Sequence, residues 1–267
     1  MRLLKLLFIV IVCALLYSAY RALPQYELTA KIPLNGGGFT TDNLQNVYVY
    51  HRSTIKEYSS GGKLLYTYSD KSYGDITEVD ANNPLKLMVF YKDFPQIVFL
   101  DNTLSQNGNA VNPSDLGFPL TSMACVSHDN GLWFYDGQNF QLVRFDVTLT
   151  LMQKTGNLSQ QLGIIINPYS LQEYNSYVYL NDTAKGILVF DSFGTYFKTI
   201  PFKHITSYQI RGDNLFYMLK NKIHSFDLKT IMEDVTIPPD SLVSQVRIEK
   251  NLLYENCQDT IRVYSIK

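Results

Sequence analysis

Five polar side chains in the middle of the sequence have the chemistry of metal ligands or acid–base catalysts. They are Glu78, Asp80, His128, Asp129 and Glu173. Carboxylates and imidazoles of this kind hold metal ions or move protons during hydrolysis. If they met at one mouth of a channel, they would form a metal-dependent, lactonase-like hydrolase. The acidic positions also fall beside expected tight turns, where carboxylates cap backbone N–H groups, and this structural role is the favoured interpretation.

The sequence contains none of the short motifs that mark common catalytic centres. There is no G-x-S-x-G nucleophile elbow, no H-E-x-x-H zinc motif, no G-x-x-x-x-G-K-[ST] phosphate loop and no G-x-G-x-x-G fingerprint. A glycine triplet at residues 36–38 precedes an expected strand rather than a helix, so it lacks the helix N-terminus that would bind an anion. The sequence therefore favours a non-catalytic protein that needs no cofactor.

A second set of side chains suits contact with another protein. Phe94 and Phe140 lie in expected tight turns, within the strings KDFPQ and DGQNF, near two long connections at 104–119 and 155–168. Aromatic groups beside adaptable Asn and Gln side chains are typical of protein interfaces. The alternative is that both phenylalanines pack between neighbouring units of the fold. The candidate partner-binding residues are Phe94, Asp115, Phe118, Phe140, Gln160 and Gln161.

The composition describes a folded chain with no preference for nucleic acid. Of its 267 residues, 46% are hydrophobic and 18% are charged, and the formal net charge is -1. A hydrophobic share of this size can form a large core, and all-β chains of this length are common as single domains. Because Lys and Arg are spread along the sequence, no basic surface for phosphates is expected, and nucleic acid is not an expected partner.

The first 22 residues have the pattern of an export signal. Arg2 and Lys5 precede an unbroken apolar run from Leu6 to Leu16. A positive segment followed by an apolar run of this length is typical of a secretory signal peptide, and an uncleaved signal anchor is the alternative. Either form would export the rest of the chain. We therefore expect a periplasmic or cell-envelope protein that touches the membrane only through such an anchor.

A short pattern recurs six times, which indicates a repeat architecture. It consists of Ile or Leu, two variable residues, and then an aromatic residue or Leu, usually followed by Asp. Successive copies lie 36 to 45 residues apart, which is the length of one propeller blade. The final positions of the six copies are Tyr58, Leu100, Phe145, Phe190, Phe226 and Tyr264.

These repeats predict an all-β, six-bladed β-propeller. A run rich in Tyr, Phe and Val precedes each copy, as expected for strands on half-buried pleated surfaces. The predicted blades are 36–69, 76–112, 120–155, 168–202, 205–238 and 243–267. The last blade lacks a fourth strand, and segment 26–34 is predicted to supply it and close the ring, which removes exposed strand edges. Cys125 and Cys257 then fall on opposite blades, so no disulfide is expected between them.

Two strings carry a resemblance to known propeller families. DNLQNVYV, at residues 42–49, resembles the blade signature of NHL-type propellers. GILVFDSFGTYFKTI, at residues 186–200, resembles exported six-bladed propellers of the NHL/TolB-like superfamily that are frequent in Bacteroidota. The resemblance covers residues 26–267 and implies architecture more than activity, since propellers host enzymes, sensors and scaffolds.

The resemblance and the missing catalytic motifs together favour one function over another. The expected function is a non-catalytic interaction module or scaffold of the cell envelope. Its protein partner would belong to an outer-membrane assembly, such as the type 9 secretion apparatus that accompanies similar Bacteroidota proteins. The alternative is a channel-mouth hydrolase built from some of the five polar side chains named first.

Overall fold

A computed structural model describes residues 25–267, and these residues form six antiparallel sheets arranged as a six-bladed β-propeller. The sequence prediction of an all-β propeller is confirmed. The predicted signal segment, residues 1–22, lies outside the described residues. Within 25–267, no helix combines the length and the apolar character that crossing a membrane requires.

The strands are numbered β1 to β23 along the chain, and sheets one to six follow the same order. The first strands, which surround the central axis, are β2 (Gly38–Thr41), β6 (Ile76–Asp80), β9 (Thr121–Val126), β13 (Ser170–Tyr174), β17 (Tyr208–Arg211) and β21 (Val243–Glu249). The second strands are β3 (Val47–His51), β7 (Leu87–Tyr91), β10 (Leu132–Asp136), β14 (Tyr177–Asp182), β18 (Asn214–Leu219) and β22 (Leu252–Cys257).

The remaining strands form the outer half of each sheet. The third strands are β4 (Thr54–Tyr58), β8 (Gln96–Leu100), β11 (Gln141–Phe145), β15 (Gly186–Asp191), β19 (Lys222–Asp227) and β23 (Thr260–Ile266). The fourth strands are β5 (Leu64–Ser69), β12 (Leu151–Lys154), β16 (Tyr196–Ile200), β20 (Glu233–Thr236) and β1 (Tyr26–Pro33). A 3₁₀ helix at Pro113–Leu116 and a short helix, α1, at Leu158–Leu162 lie in two of the connections.

Sheet six takes its outermost strand from the start of the described chain. β1 pairs antiparallel with β23, from Tyr26 opposite Ile266 to Pro33 opposite Thr260. One β-bulge interrupts this register between Leu28 and Ala30. Sheet six is therefore built from both ends of residues 25–267.

Sheet two has three regular strands and an irregular edge in place of a fourth. Val111 forms an isolated antiparallel bridge with Ile97, and Gln106 forms another with Leu100. The backbone N–H of Asn107 also donates to the carbonyl of Phe99 at 2.8 Å. The long connection after β8 thus covers the sheet edge before it continues to sheet three.

The Asp that follows several third strands has a structural role. Oδ1 of Asp101 accepts the backbone N–H groups of Thr103 and Ser105, at 2.8 and 2.9 Å. Asp146 and Asp191 accept the same pair of N–H groups in the corresponding turns of sheets three and four. A short carboxylate can satisfy turn N–H groups that no ladder uses. The recurring Asp in the sequence pattern therefore marks the turn to the fourth strand.

The hydrophobic core runs around the ring between the sheets. Six clusters of buried side chains each combine residues of two neighbouring sheets. The cluster between sheets three and four contains Trp133, Leu180 and Phe190, all fully buried. Burying one large apolar side chain stabilises a fold by about 1.5–3 kcal/mol. Cys125 and Cys257 are buried and free, in β9 and β22.

Candidate functional site

The strand order gives the propeller two different faces. The connections between sheets and the turns between second and third strands leave one face, because strands in each sheet alternate in direction. We call it the loop face, and it carries segments 112–120 and 155–169 and turns 92–95 and 137–140. The opposite face carries the turns between first and second strands, such as 42–46 and 127–131, and we call it the turn face.

A central channel runs between the six first strands. Its loop-face half is a cavity of about 620 Å³, lined by the beginnings of the first strands and by Tyr50 and Lys92. Its turn-face half is a cavity of about 440 Å³, lined by the ends of the same strands. Four residues border both cavities: Ala81, Asn82, Gln172 and Arg247. The side chains that the sequence singled out for chemistry lie along this channel or at its turn-face rim.

Glu173 holds sheets three and four together instead of facing the channel as a free carboxylate. Its Oε2 accepts the indole N–H of Trp133 at 2.6 Å. Its Oε1 accepts the backbone N–H of His128 at 2.9 Å and lies 2.7 Å from Nδ1 of the same histidine. Both carboxylate oxygens are thus engaged across the junction of the two sheets, in a side chain that is almost fully buried.

Asp129 is engaged within sheet three. Its Oδ2 accepts a hydrogen bond from Nη2 of Arg144 at 2.6 Å, and its Oδ1 accepts one from the hydroxyl of Ser127 and one from the backbone N–H of Gly131. These contacts stabilise the turn between β9 and β10. They leave Asp129 at the rim of the turn face, away from Glu78.

Asp80 and Glu78 are adjacent inward positions of β6 in the loop-face cavity. Asp80 accepts the backbone N–H groups of Asn82 and Val126, at 3.0 and 3.1 Å, so it links sheets two and three. Burial raises the pKa of Asp80. The Glu78 carboxylate forms no hydrogen bond within residues 25–267, and burial, assisted by the charge of Asp80, raises its pKa to about 8.

The five candidate metal ligands therefore do not form one site. Only Glu78 and Asp80 share a cavity without competing side-chain partners, whereas Asp129, His128 and Glu173 take part in contacts within and between sheets three and four. Across residues 25–267, no three His, Cys, Asp or Glu side chains stand close enough to hold a metal ion together. The interpretation of these residues as a joint metal centre is wrong.

Arg247 is the channel residue that sequence reasoning missed. It projects from β21, and its Nε donates to Oγ1 of Thr41 at 2.9 Å. Thr41 in turn donates to Oε1 of Glu249 at 2.8 Å, and Nε2 of Gln209 donates to the same oxygen at 2.6 Å. This network joins sheets one, five and six around the channel. A single arginine in a strand carries no local motif, so only the folded ring reveals it.

The loop face presents several exposed apolar side chains near sheets two to four. Phe94 is 74% exposed and Phe140 is 44% exposed, in the turns where the sequence placed them. Leu120, Ile165 and Tyr169 are also exposed on this face, and sequence reasoning did not select them. The three occupy the connections that lead into β9 and β13. Phe94 therefore does not pack between neighbouring sheets, which was the alternative interpretation of this side chain.

The polar candidates lie on the same connections. Asp115 is exposed in the 3₁₀ helix, and Gln160 and Gln161 are exposed on α1. Phe118 was also expected on this surface, and that prediction is wrong, because only 8% of it is exposed. Its ring packs edge to face against Phe145, with 5.7 Å between centroids. Phe118 anchors its connection to the core of sheets two and three.

Backbone hydrogen bonds fix these connections to the turns beside them. The N–H of Leu158 donates to the carbonyl of Phe140 at 2.8 Å, and the N–H of Gly137 donates to the carbonyl of Leu120 at 3.0 Å. Asn157 caps α1 through its side chain, which accepts the N–H of Gln160 at 3.0 Å. The apolar side chains of the loop face thus stand on an ordered backbone.

Comparison with known proteins identifies the fold and no family. No family model and no curated protein sequence matches the chain. A streptogramin B lyase structure has a TM-score of 0.60 at 11% identity, covering 91% of this chain and 98% of that one. The Neurospora crassa Pan2 WD40 domain has a TM-score of 0.59 at 8% identity, covering 90% and 95%. BBS1N in complex with ARL6DN gives 0.57 at 15% identity, covering 88% and 78%.

Proposed function

We propose that this chain is a non-catalytic interaction module of the cell envelope, which binds a protein partner through its loop face beside sheets two to four. The observation that carries the proposal is the exposure of Phe94 and Phe140 on adjacent turns of that face. Large aromatic side chains dominate the energy of protein interfaces when a partner covers them. A propeller with its own complete core has no structural need to expose them.

The surroundings of the two phenylalanines support the same function. Leu120 and Ile165 extend the apolar area, and Asp115, Gln160 and Gln161 supply polar groups at its border. An apolar centre with a polar rim is the usual anatomy of a protein interface. Because hydrogen bonds already order the connections, binding there costs little conformational entropy.

The enzyme alternative loses its main support in this geometry. That hydrolase would be built from some of the five polar side chains Glu78, Asp80, His128, Asp129 and Glu173. His128 and Glu173, however, are bound into the junction of sheets three and four, and Asp129 is engaged within sheet three. Proteins of similar fold include both kinds: BBS1N was crystallised in complex with ARL6DN, and streptogramin B lyase is an enzyme. Protein binding explains why the loop face exposes large apolar side chains, whereas hydrolysis gives no reason for their exposure.

The envelope location rests on the sequence of the first 22 residues. Arg2, Lys5 and the apolar run that follows them are the features of an export signal. On this basis the partner is a periplasmic or outer-membrane protein, and an assembly of the type 9 secretion kind is the specific candidate. Fractionation of cells that express the full chain tests the location: recovery with the cytoplasmic fraction would contradict it.

Affinity capture tests the interaction. The tagged full chain is mildly cross-linked in cells, purified from the membrane fraction, and compared with a Phe94→Ala/Phe140→Ala double variant. We expect a partner to co-purify with the wild type and to be lost from the double variant. Phe193→Ala is the matched control, because Phe193 is 69% exposed but lies in a turn on the opposite face. A wild-type chain that elutes alone, or a double variant that captures normally, would refute the proposal.

A further inference from the structure

We propose that the loop-face cavity of the channel binds a small organic acid that also carries hydroxyl groups, such as a sugar acid, and that Arg247 binds its carboxylate. This site differs from the partner-binding surface in its main binding residue, because Arg247 lies on β21 inside the ring, while Tyr169 of the connection to sheet four borders the cavity. The cavity of about 620 Å³ has the size of a ligand pocket.

Arg247 has the free hydrogen-bonding capacity that such a ligand needs. Within residues 25–267 it forms no ion pair, and its one side-chain hydrogen bond runs from Nε to Thr41. Its two terminal nitrogens therefore remain available at the junction of both cavities. A guanidinium with two free N–H groups side by side matches the two oxygens of a carboxylate.

The network behind Arg247 holds it in this orientation. Oγ1 of Thr41 accepts from Nε of Arg247 and donates to Glu249, whose Oε1 also accepts from Gln209. Oε1 of Gln209 accepts the backbone N–H of Ile248 at 2.7 Å, which returns the network to β21. A guanidinium fixed from behind loses little side-chain entropy when a ligand binds in front of it.

The charge balance of the cavity favours an anion at this position. Lys92 lines the loop-face opening, and Arg247 lies at the inner end. The carboxyl groups that line this cavity are Glu78 and Asp80, and burial raises the pKa of both. The charge of Glu249 also acts on Arg247, but that carboxylate already has Thr41, Gln209 and Arg211 as partners. With its pKa near 8, Glu78 is largely protonated at neutral pH, so it donates a hydrogen bond to a ligand hydroxyl instead of repelling an anion.

The rest of the lining suits hydroxyl groups and the flat face of a ring. Ser122, Thr206 and Ser207 line this cavity, and their hydroxyls form no hydrogen bonds within residues 25–267. Tyr50 and Tyr169 add aromatic rings to the same cavity. Aromatic rings pack against the C–H face of a sugar, and free hydroxyls exchange hydrogen bonds with its O–H groups.

Isothermal titration calorimetry on the purified full chain tests the site. The probes are D-glucuronate and D-galacturonate. D-Glucose tests the need for the carboxylate, and glucose 6-phosphate tests the choice of carboxylate over phosphate. We expect at least one uronate to bind at least tenfold more tightly than glucose. Arg247→Gln should weaken that binding at least tenfold, and Arg247→Lys, which keeps the charge but loses the paired N–H groups, should weaken it to an intermediate degree.

Arg52→Gln is the matched control, because Arg52 is exposed, lines neither cavity and should leave uronate binding unchanged. Ligand-observed NMR on the wild type keeps the test decisive if an Arg247 variant does not fold. The proposal is overturned if neither uronate binds, if glucose binds equally well, if the phosphate ester is preferred, or if a folded Arg247→Gln variant binds as the wild type does.

Discussion

The indole N–H of Trp133 donates to Oε2 of Glu173 at 2.6 Å, across the junction between sheets three and four. Both side chains are almost completely buried. The contact gives a buried carboxylate a specific partner in the next sheet, where apolar packing alone would leave it unsatisfied. It also explains why a glutamate that looked catalytic in the sequence is part of the framework.

Replacing Trp133 with Phe should destabilise the propeller by about 2–4 kcal/mol, because Oε2 of Glu173 loses its donor and a small cavity forms. Chemical denaturation measures the loss. Tyr135→Phe is the matched control, since the Tyr135 hydroxyl is buried without a hydrogen-bond partner among residues 25–267, and removing it should be neutral or stabilising. Equal stability of Trp133→Phe and wild type would contradict the role of this contact.

Phe118→Ala should cost about 3–5 kcal/mol of stability, as expected for a phenylalanine removed from a packed core. Phe94→Ala should change the free energy of unfolding by less than about 0.5 kcal/mol, because that side chain lies mostly in solvent. Denaturation of the two variants compares them directly. Similar losses for both would mean that the distinction between anchor and surface is incorrect.

Glu78→Gln should become increasingly stabilising as the pH rises. The pKa of Glu78 in the folded state, about 8, lies above the unfolded value of about 4.3, so ionisation opposes folding increasingly as the pH passes from one value to the other. The amide avoids this cost, and we expect a gain of about 1–2 kcal/mol at pH 9, reduced because the cavity is open to solvent. Thermal unfolding between pH 5 and pH 9 measures it.

Glu27→Gln is the control for that experiment. The hydrogen bond and charge of Lys267 lower the pKa of Glu27, so its neutralisation should not stabilise the protein at high pH. A constant difference between Glu78→Gln and wild type over the whole pH range would show that Glu78 is solvated like an ordinary surface carboxylate.

Asp146→Ala should lower the melting temperature at neutral pH and lose this effect in acid. Hydrogen bonds from the Thr148 hydroxyl and the Thr150 backbone lower the pKa of Asp146. Its contribution is therefore fully present above the unfolded pKa of about 3.9 and disappears as the pH falls through the lower folded value. Melting curves from pH 2.5 to pH 7 should converge at the acid end. A difference that persists there would mean that the carboxylate charge is irrelevant to the turn.

Ile32→Ala tests the contribution of β1 to the ring. Ile32 is fully buried opposite Ile261 of β23, so its truncation should cost about 3 kcal/mol. Leu28→Ala, on the same strand but 45% exposed, should cost less than about 1 kcal/mol. A negligible loss for Ile32→Ala, measured by denaturation, would indicate that sheet six is stable without its outermost strand.

The repeat could be predicted from the sequence because each blade has the same types of residue in its third strand and in the turn that follows. Third strands such as Gln96–Leu100 are buried on both sides and therefore show as short apolar runs, and Asp101 or Asp146 marks the turn that follows. These signals lie within a few residues of one another. Local patterns of this kind can be recognised in a single sequence, because they do not depend on contacts between distant residues.

The channel could not be predicted in the same way. The importance of Arg247 arises from Thr41, which lies 206 residues away in the chain, and the role of Glu173 arises from Trp133, 40 residues away. No periodicity links such pairs. Phe118 was misplaced for a related reason: it lies in a connection, where apolar residues are expected at the surface, but the 3₁₀ helix before it turns its ring towards Phe145.

The pairing of β1 with β23 also constrains when sheet six can form during folding. β1 is the first strand of the described chain, and its partner consists of nearly the last residues, with Lys267 donating its backbone N–H to Gln25 at 2.9 Å. Sheet six therefore cannot be completed until synthesis has delivered β23. Contacts of such sequence separation form slowly, so we expect the pairing of β1 with β23 to form late in folding.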